Sequence, residues 1–342
     1  MRPPFGSMIV EFAPGVGIHW YGVLIVVGIL ASAYYAAWQA KRDGENPDHI
    51  WNALTVAIVL AIVGARLYHV FSQPAEGVGR SYYFDPDHPE HLVEILYIWQ
   101  GGLGIYGAAA GGALGIVLYC LYAKLRPLQW LDYGAPAIAL GQAIGRWGNF
   151  FNQELYGPPT GSSWWGLIID DQFRINPYNC VTVGDPDCIP GKMMYPPDTL
   201  FHPTFLYESL WCLLVFVVLA VIAYRWKKKL HGDIVWGYLI GYPLGRFFIE
   251  GFFRPDAWMM GTLAAAQWFA IACIVGGAAA LIVRHVLAKR ASPADEVSDE
   301  EAGGDVEAAD EVVVEDAAEV VAEMEPKPDD SAGADEPEEP EA

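Results

Sequence analysis

The sequence has no P-loop, no glycine-rich dinucleotide fingerprint and no cysteine–histidine spacing typical of a zinc site. The sequence therefore contains no motif for nucleotide-dependent or zinc-dependent chemistry. We expect neither a metal nor an organic cofactor. We also expect no cleavable signal peptide, because the first apolar run begins near Gly17 without a basic segment and a small-residue cleavage site. No internal repeat of the kind found in many transporters is evident.

Charge is scarce over most of the chain, although the formal net charge is −21. Residues 292–342 contain 21 acidic residues, one basic residue and no aromatic residue, whereas the preceding part is nearly neutral. Such an acidic segment buries too little apolar surface to offset the entropy lost on ordering. We therefore expect two parts: a catalytic membrane domain over 1–290 and a disordered acidic tail over 291–342.

The first part is rich in long apolar runs, and the whole chain is 54% hydrophobic. A run of about 20 apolar residues is long enough to cross a bilayer as a helix. The sequence predicts an all-α polytopic membrane protein with seven transmembrane helices and an extracytoplasmic loop over about 150–202. The predicted spans are 17–40, 50–72, 102–123, 128–148, 203–224, 233–253 and 263–284.

The distribution of Lys and Arg between the connecting segments predicts the orientation, because basic residues concentrate on the cytoplasmic side. One set of connections contains Lys41, Arg42, Lys124, Arg126, Arg225, Lys227, Lys228, Lys229, Arg284, Lys289 and Arg290. The opposite set contains only Arg2, Arg80, Arg174, Lys192 and Arg254. We therefore place the N-terminus outside the cytoplasmic membrane and the acidic tail in the cytoplasm.

Three arginines lie inside predicted spans: Arg66, Arg146 and Arg246. A rise of about 1.5 Å per residue places all three in the outer half of the bilayer core. A buried guanidinium is costly, so these residues indicate either an anion site or a set of internal ion pairs and snorkelling side chains. We favour an anion site for a phospholipid phosphate, because arginine binds phosphate with a bidentate fork.

Other features of the spans leave alternatives open. Tyr242, Arg246 and Glu250 share one helix face, so Glu250 is placed to pair with Arg246. The glycines of the third span indicate close helix packing or, near the outer end, a groove for acyl chains. Cys180 and Cys188 share the external loop, where either a disulfide or two free thiols is possible.

One continuous segment resembles the signature of the prolipoprotein diacylglyceryl transferase family: Gly145-Arg146-Trp147-Gly148-Asn149-Phe150-Phe151-Asn152-Gln153-Glu154-Leu155-Tyr156-Gly157. Further matches follow in the family's order, at His19-Trp20-Tyr21-Gly22, Gly64-Ala65-Arg66-Leu67-Tyr68, Gly101-Gly102-Leu103, His202-Pro203-Thr204-Phe205-Leu206-Tyr207-Glu208 and Arg246-Phe247-Phe248-Ile249-Glu250. The resemblance covers about 17–255 and leaves the acidic tail out.

The resemblance implies a seven-helix enzyme that moves the diacylglyceryl group of phosphatidylglycerol onto the lipobox cysteine of a prolipoprotein. It implies a thioether-linked product and released glycerol phosphate, with lipid and prolipoprotein signal peptides as partners and no nucleic acid. We expect catalytic roles for Tyr21, Tyr106, Arg246 and Glu250. We expect substrate-binding roles for Arg66, Arg146, Asn149, Asn152, Glu154, Gly157, His202 and Tyr242.

The chain departs from the family at Tyr106, which stands where better-known members have a histidine proposed as the base. A phenol with an ordinary pKa near 10 is a poor base at neutral pH compared with an imidazole near 6.5. Either another group is the base or the arginines make the substrate thiol nucleophilic without one. His19, His69 and His202 are weak alternative bases.

Two other functions remain compatible with these features. A transporter for an anion or lipid would have apolar spans and buried arginines, although no basic trail continues through the inner half of the membrane. A non-catalytic membrane scaffold would use the acidic tail to recruit basic partners. Flux without chemical turnover would favour the transporter. Loss of all function on tail deletion, together with no effect of Arg146 substitution, would favour the scaffold.

Overall fold

The computed structural model describes residues 1–302 except 5, 14–15, 73–77, 89, 99–100, 176–177, 180–194, 227–229 and 256. Cys180, Cys188 and most of the acidic tail therefore lie outside the described residues. The chain divides into two compact units, Met1–Ile282 and Val283–Ala342. The second unit is described only as helix up to Ala302.

Helices dominate the described chain. In order they are α1 (Trp20–Arg42), α2 (Asp48–Phe71), α3 (Arg80–Tyr83), α4 (His91–Glu94), α5 (Ile105–Tyr122), α6 (Pro127–Asn152), α7 (Thr204–Arg225), α8 (Asp233–Phe253) and α9 (Ala265–Ala302). Each predicted apolar run coincides with one long helix. Five helices are long and apolar enough to cross a membrane: α1, α2, α5, α7 and the Ala265–Arg290 part of α9. The protein is therefore a mostly helical, multi-pass membrane protein.

Three short antiparallel strand pairs accompany the helices in the described chain. Strand β1 (Met8–Ala13) pairs with β2 (Val16–His19), β3 (Leu167–Ile168) with β4 (Leu200–Phe201), and β5 (Met259–Met260) with β6 (Leu263–Ala264). The β3–β4 pair belongs to a small apolar core between α6 and α7, formed by Phe150, Tyr156, Leu167, Ile169, Tyr178, Phe201 and Phe205. The described part of the loop predicted over 150–202 thus has a core of its own.

Glycines on α5 allow α2 to approach closely. A Cβ atom on Gly111 would collide with the carbonyl oxygen of Leu60, and one on Gly107 would collide with that of Gly64. Gly104, nearer the outer end, lies against the Tyr68 ring. Close packing through small residues therefore accounts for these three positions, whereas a Cβ on Gly101 would meet nothing within 4 Å.

Helices α6, α7 and α8 form the frame of the site. Their shared core contains Ala135, Ala139, Val215, Leu219, Ala223 and Ile234. The buried Asp132 carboxylate of α6 accepts hydrogen bonds from the amides of Gly232 at 2.6 Å, Val235 at 2.9 Å and Ile234 at 3.1 Å. A side chain of one helix thus caps the N-terminus of another and fixes α6 against α8.

Candidate active site

A single carboxylate joins two arginines that are far apart in sequence. One carboxylate oxygen of Glu208 on α7 lies 2.6 Å from Nε of Arg146 on α6 and forms an ion pair with it. The other oxygen receives Nη1 of Arg246 from α8. Glu208 is only 4% exposed, so this contact is shielded from water. Three helices therefore meet at one buried, charged group.

A second carboxylate completes the cluster. Nη2 of Arg246 donates to Glu250, one turn further along α8, at 2.7 Å. The contact that the spacing of Arg246 and Glu250 predicts is therefore present. Two guanidinium groups and two carboxylates carry no net formal charge together. Such compensation is needed in a low-dielectric environment, where an unpaired charge is costly.

Arg146 also borders a large apolar cavity. The cavity has a volume of about 730 Å³ and lies among α1, α2, α5 and α6, with Tyr242 of α8 on its wall. Within the described part of the chain, no acceptor contacts the Nη atoms of Arg146. Its forked donors are therefore available to an anion, while its Nε is held by Glu208.

The end of α6 holds a second polar group. Side-chain amides of Asn149 and Asn152 donate to one oxygen of Glu154, at 2.7 and 3.2 Å. The residues on either side of Glu154 have left-handed backbones, with φ of 53° at Gln153 and 56° at Leu155. Non-glycine residues seldom adopt this conformation, and its concentration in one turn is typical of a functional site.

Comparison with known proteins identifies the arrangement. Residues 7–283 match the family model described as prolipoprotein diacylglyceryl transferase. The chain belongs to the prolipoprotein diacylglyceryl transferase family. A phosphatidylglycerol–prolipoprotein diacylglyceryl transferase of Chloroflexus aggregans is 39% identical over 256 residues, covering 72% of this chain and 76% of the relative.

Two other relatives carry the same name. The one from Streptococcus equi subsp. zooepidemicus is 36% identical over 275 residues, covering 78% of this chain and 91% of the relative. The one from Synechocystis sp. is 37% identical over 280 residues, covering 80% and 88%. The match therefore includes every helix that contributes to the site.

In this diacylglyceryl transferase fold, two tyrosines border the cavity beside Arg146. Tyr21, at the start of α1, packs so closely on Gly148 that a Cβ atom there would lie 2.6 Å from its ring. Tyr242 lies one turn before Arg246 on α8 and stacks on Tyr238 with ring centroids 5.6 Å apart. Both rings line the cavity, so they limit the space beside Arg146.

His202 and Gly157 meet where the loop between α6 and α7 joins α7. The Gly157 amide donates to the His202 carbonyl at 2.9 Å, and a Cβ on Gly157 would lie 2.8 Å from that of His202. The His202 ring contacts the Tyr207 hydroxyl at 3.0 Å and lies 5.0 Å from the Phe253 ring. Burial lowers the pKa of His202. These contacts support a packing role for Gly157.

Arg66 stands apart from the two arginines joined by Glu208. Its guanidinium donates to the carbonyls of Glu94 at 2.5 Å, Ile95 at 2.8 Å, Gly101 at 2.9 Å and Gly102 at 3.1 Å. It also faces the Tyr83 ring at 5.4 Å. The side chain thus fastens the segment before α5 to α2. Similar depth in the membrane did not place the three arginines in one cluster.

Tyr106 occupies the first turn of α5 and is 66% exposed. Its ring contacts that of Tyr68, with centroids 5.7 Å apart. No ion pair or hydrogen bond of Tyr106 is present among the described side chains. Among the described residues, Tyr106 therefore has no hydrogen-bonded acid or base beside it.

Glu208 is the central residue that sequence reasoning left out of the site. The only local signal for it was its position at the end of the segment His202-Pro203-Thr204-Phe205-Leu206-Tyr207-Glu208, which resembles a family motif. Helical spacing links Arg246 to Glu250, but no local spacing links Glu208 to Arg146 or Arg246. Contacts between separate helices depend on their packing, which a single sequence does not display.

Proposed function

We propose that this protein transfers the diacylglyceryl group of phosphatidylglycerol to the lipobox cysteine of prolipoproteins. The observation that carries the proposal is the arrangement of Arg146 and Arg246 around Glu208 at the edge of an apolar cavity. The cavity fits acyl chains and the free donors of Arg146 fit a phosphate. The names of the relatives supply the same two substrates.

The reaction forms a sulfur–carbon bond to the terminal glyceryl carbon and breaks the bond between that carbon and a phosphate oxygen. Glycerol phosphate leaves with the electron pair, and the thiol proton ends on this phosphate monoester or on water. Negative charge grows on the departing phosphate. Fixed guanidinium donors in a site with little water stabilise such charge.

The residues divide this work by position. Arg146 binds the phosphate, while Glu208 and Glu250 hold the two guanidinium groups in place. Arg246 stabilises charge on the leaving group. Glu154, oriented by Asn149 and Asn152, binds glycerol hydroxyls or receives the thiol proton, and Tyr21 and Tyr242 confine the reacting groups. Arg66 acts indirectly, by holding the segment that leads into α5.

We extend the proposal to the membrane arrangement. All seven long helices span the cytoplasmic membrane, with the N-terminus outside and the acidic tail inside. Helices α6 and α8 are not among the five helices that are apolar enough by composition to cross a membrane, and they carry Arg146, Arg246 and Glu250. Residues 1–290 form the catalytic domain and 291–342 an acidic cytoplasmic tail. The site then lies toward the outer leaflet, where exported precursors arrive.

The test is to reconstitute the full chain in vesicles containing phosphatidylglycerol and to add a lipobox peptide. Mass spectrometry should show a peptide heavier by one diacylglyceryl group, linked through a bond that hydroxylamine does not cleave. A peptide with serine in place of the cysteine should remain unmodified. Lipid flux without peptide modification would support a transporter instead and would overturn the proposal.

A further inference from the structure

The cavity beside Arg146 is apolar along most of its length, with one exception on α6. The α6 residues that line it are Trp130, Gly134, Ala137, Ile138, Gly141, Gln142, Gly145, Arg146 and Asn149. Among these lining residues, Gln142 is the one polar side chain between Trp130 and Arg146. An amide in apolar surroundings is costly unless its hydrogen bonds are made.

The carbonyl oxygen of the Gln142 side chain already has a hydrogen-bond partner. The Tyr238 hydroxyl on α8 donates to Oε1 of Gln142 at 3.0 Å. Tyr238 is held in turn by its stacking on Tyr242, with the two rings 7° from parallel. Among the described residues no acceptor contacts Nε2 of Gln142. The carbonyl end is therefore oriented by α8, and the NH₂ donors remain for a ligand in the cavity.

Gln142 lies four residues before Arg146, one helical turn or about 6 Å deeper along α6. In a glycerophospholipid the ester carbonyls follow the phosphate by a few covalent bonds, a span of the same order. The carbon attacked in the transfer lies between these two groups. Resting on the function proposed above, we propose that Gln142 donates a hydrogen bond to an ester carbonyl of the diacylglyceryl group.

This contact makes Gln142 a specificity-determining residue for ester-linked lipids. With Arg146 on the phosphate and Gln142 on the ester, the bond that breaks is held from both sides, which favours in-line attack by the thiol. A diether lipid of the same chain length has no carbonyl. Its binding leaves the amide donors without an acceptor, so the site discriminates against such an analogue by the worth of one hydrogen bond.

The test compares diacyl phosphatidylglycerol with its dialkyl ether analogue, using the full chain in detergent and a lipobox peptide. The wild-type protein should show kcat/KM about fivefold higher for the diacyl lipid, the effect of one hydrogen bond. Gln142→Leu should bring the ratio of the two lipids close to one. Gln142→Met, which retains the length of the side chain, replaces this variant if the leucine protein does not fold.

Ile138→Ala is the matched control, because Ile138 lines the same wall one turn deeper. This variant should lower kcat/KM for both lipids and leave the preference for the diacyl lipid intact. A diacyl preference that persists without the Gln142 amide overturns the inference, as does a wild-type protein that uses both lipids equally. Absence of transfer from either lipid by folded wild-type protein overturns the transfer reaction itself, and with it the role of Gln142.

Discussion

Arg146 and Arg246 lie on different helices, and each forms an ion pair with its own oxygen of the Glu208 carboxylate. The buried carboxylate thus sets the separation of two guanidinium groups that are expected to act on one phosphate. It also offsets charge that would otherwise be costly in the membrane. The site accordingly depends on the packing of three helices against each other.

Arg146→Ala should nearly abolish lipid transfer while the protein still inserts and folds. Arg146→Lys should recover little activity, because an ammonium group cannot make the bidentate contact and cannot keep the same bond to Glu208. Peptide modification in reconstituted vesicles measures both variants. Near-normal turnover by well-folded Arg146→Ala protein would remove this residue from the site.

Glu208→Gln keeps the shape of the side chain but leaves the two arginines with excess positive charge. Breaking a buried ion pair on one side costs about 3–5 kcal/mol, so both thermal stability and transfer should fall. Asp171→Asn is the matched control, because Asp171 is half-exposed and pairs with Arg174 in the external loop. An unchanged melting temperature and rate in Glu208→Gln would contradict the structural role assigned to this carboxylate.

Arg246 and Glu250 should behave as a pair. Each single substitution to glutamine is expected to impair transfer, and the double substitution should be clearly less damaging than the two single effects combined. The reason is that either single change leaves the other charge without its partner at 2.7 Å. A double-mutant cycle on transfer rates checks this, and strictly additive losses would assign the two residues to separate tasks.

Tyr106→Phe should reduce transfer moderately, and Tyr106→His should leave it similar or raise it. This side chain is exposed and packs on Tyr68, so a role in orienting substrate fits its surroundings better than proton abstraction. The pH profile of transfer distinguishes these roles. An essential phenolate would produce a rising alkaline limb that disappears in the phenylalanine variant together with nearly all turnover.

His202 should make the protein sensitive to mild acid. Burial lowers its folded-state pKa, so the unfolded chain binds the proton more readily as the pH falls through about 6.5. Stability is present above this pH and is lost toward the folded-state pKa. The thermal unfolding temperature should therefore fall less between pH 7 and pH 5 in His202→Gln than in the wild-type protein. The exposed His88, changed to glutamine, is the control, and equal effects would refute the assignment.

The sequence predicted the helices well, and it predicted the site in part. Runs of apolar residues longer than the bilayer core leave little choice of structure, so each one coincides with a helix. The contact between Arg246 and Glu250 followed from their spacing on one helix. Depth along a helix fixes only one coordinate, however. Arg66 therefore donates to backbone carbonyls and does not lie beside Arg146. The role of Glu208 is evident only from the packing of the helices.

The bond between Arg146 and Glu208 also has a consequence for biogenesis. During synthesis α6 emerges before the external loop, and α7 follows only after that loop. The arginine of α6 thus reaches the insertion machinery before its counter-charge has been made, and α8 brings a second arginine that pairs with the same carboxylate and with Glu250 of its own helix. In the seven-span arrangement proposed above, the three helices therefore enter the lipid phase as an interdependent group, with α7 as the member that supplies the shared counter-charge.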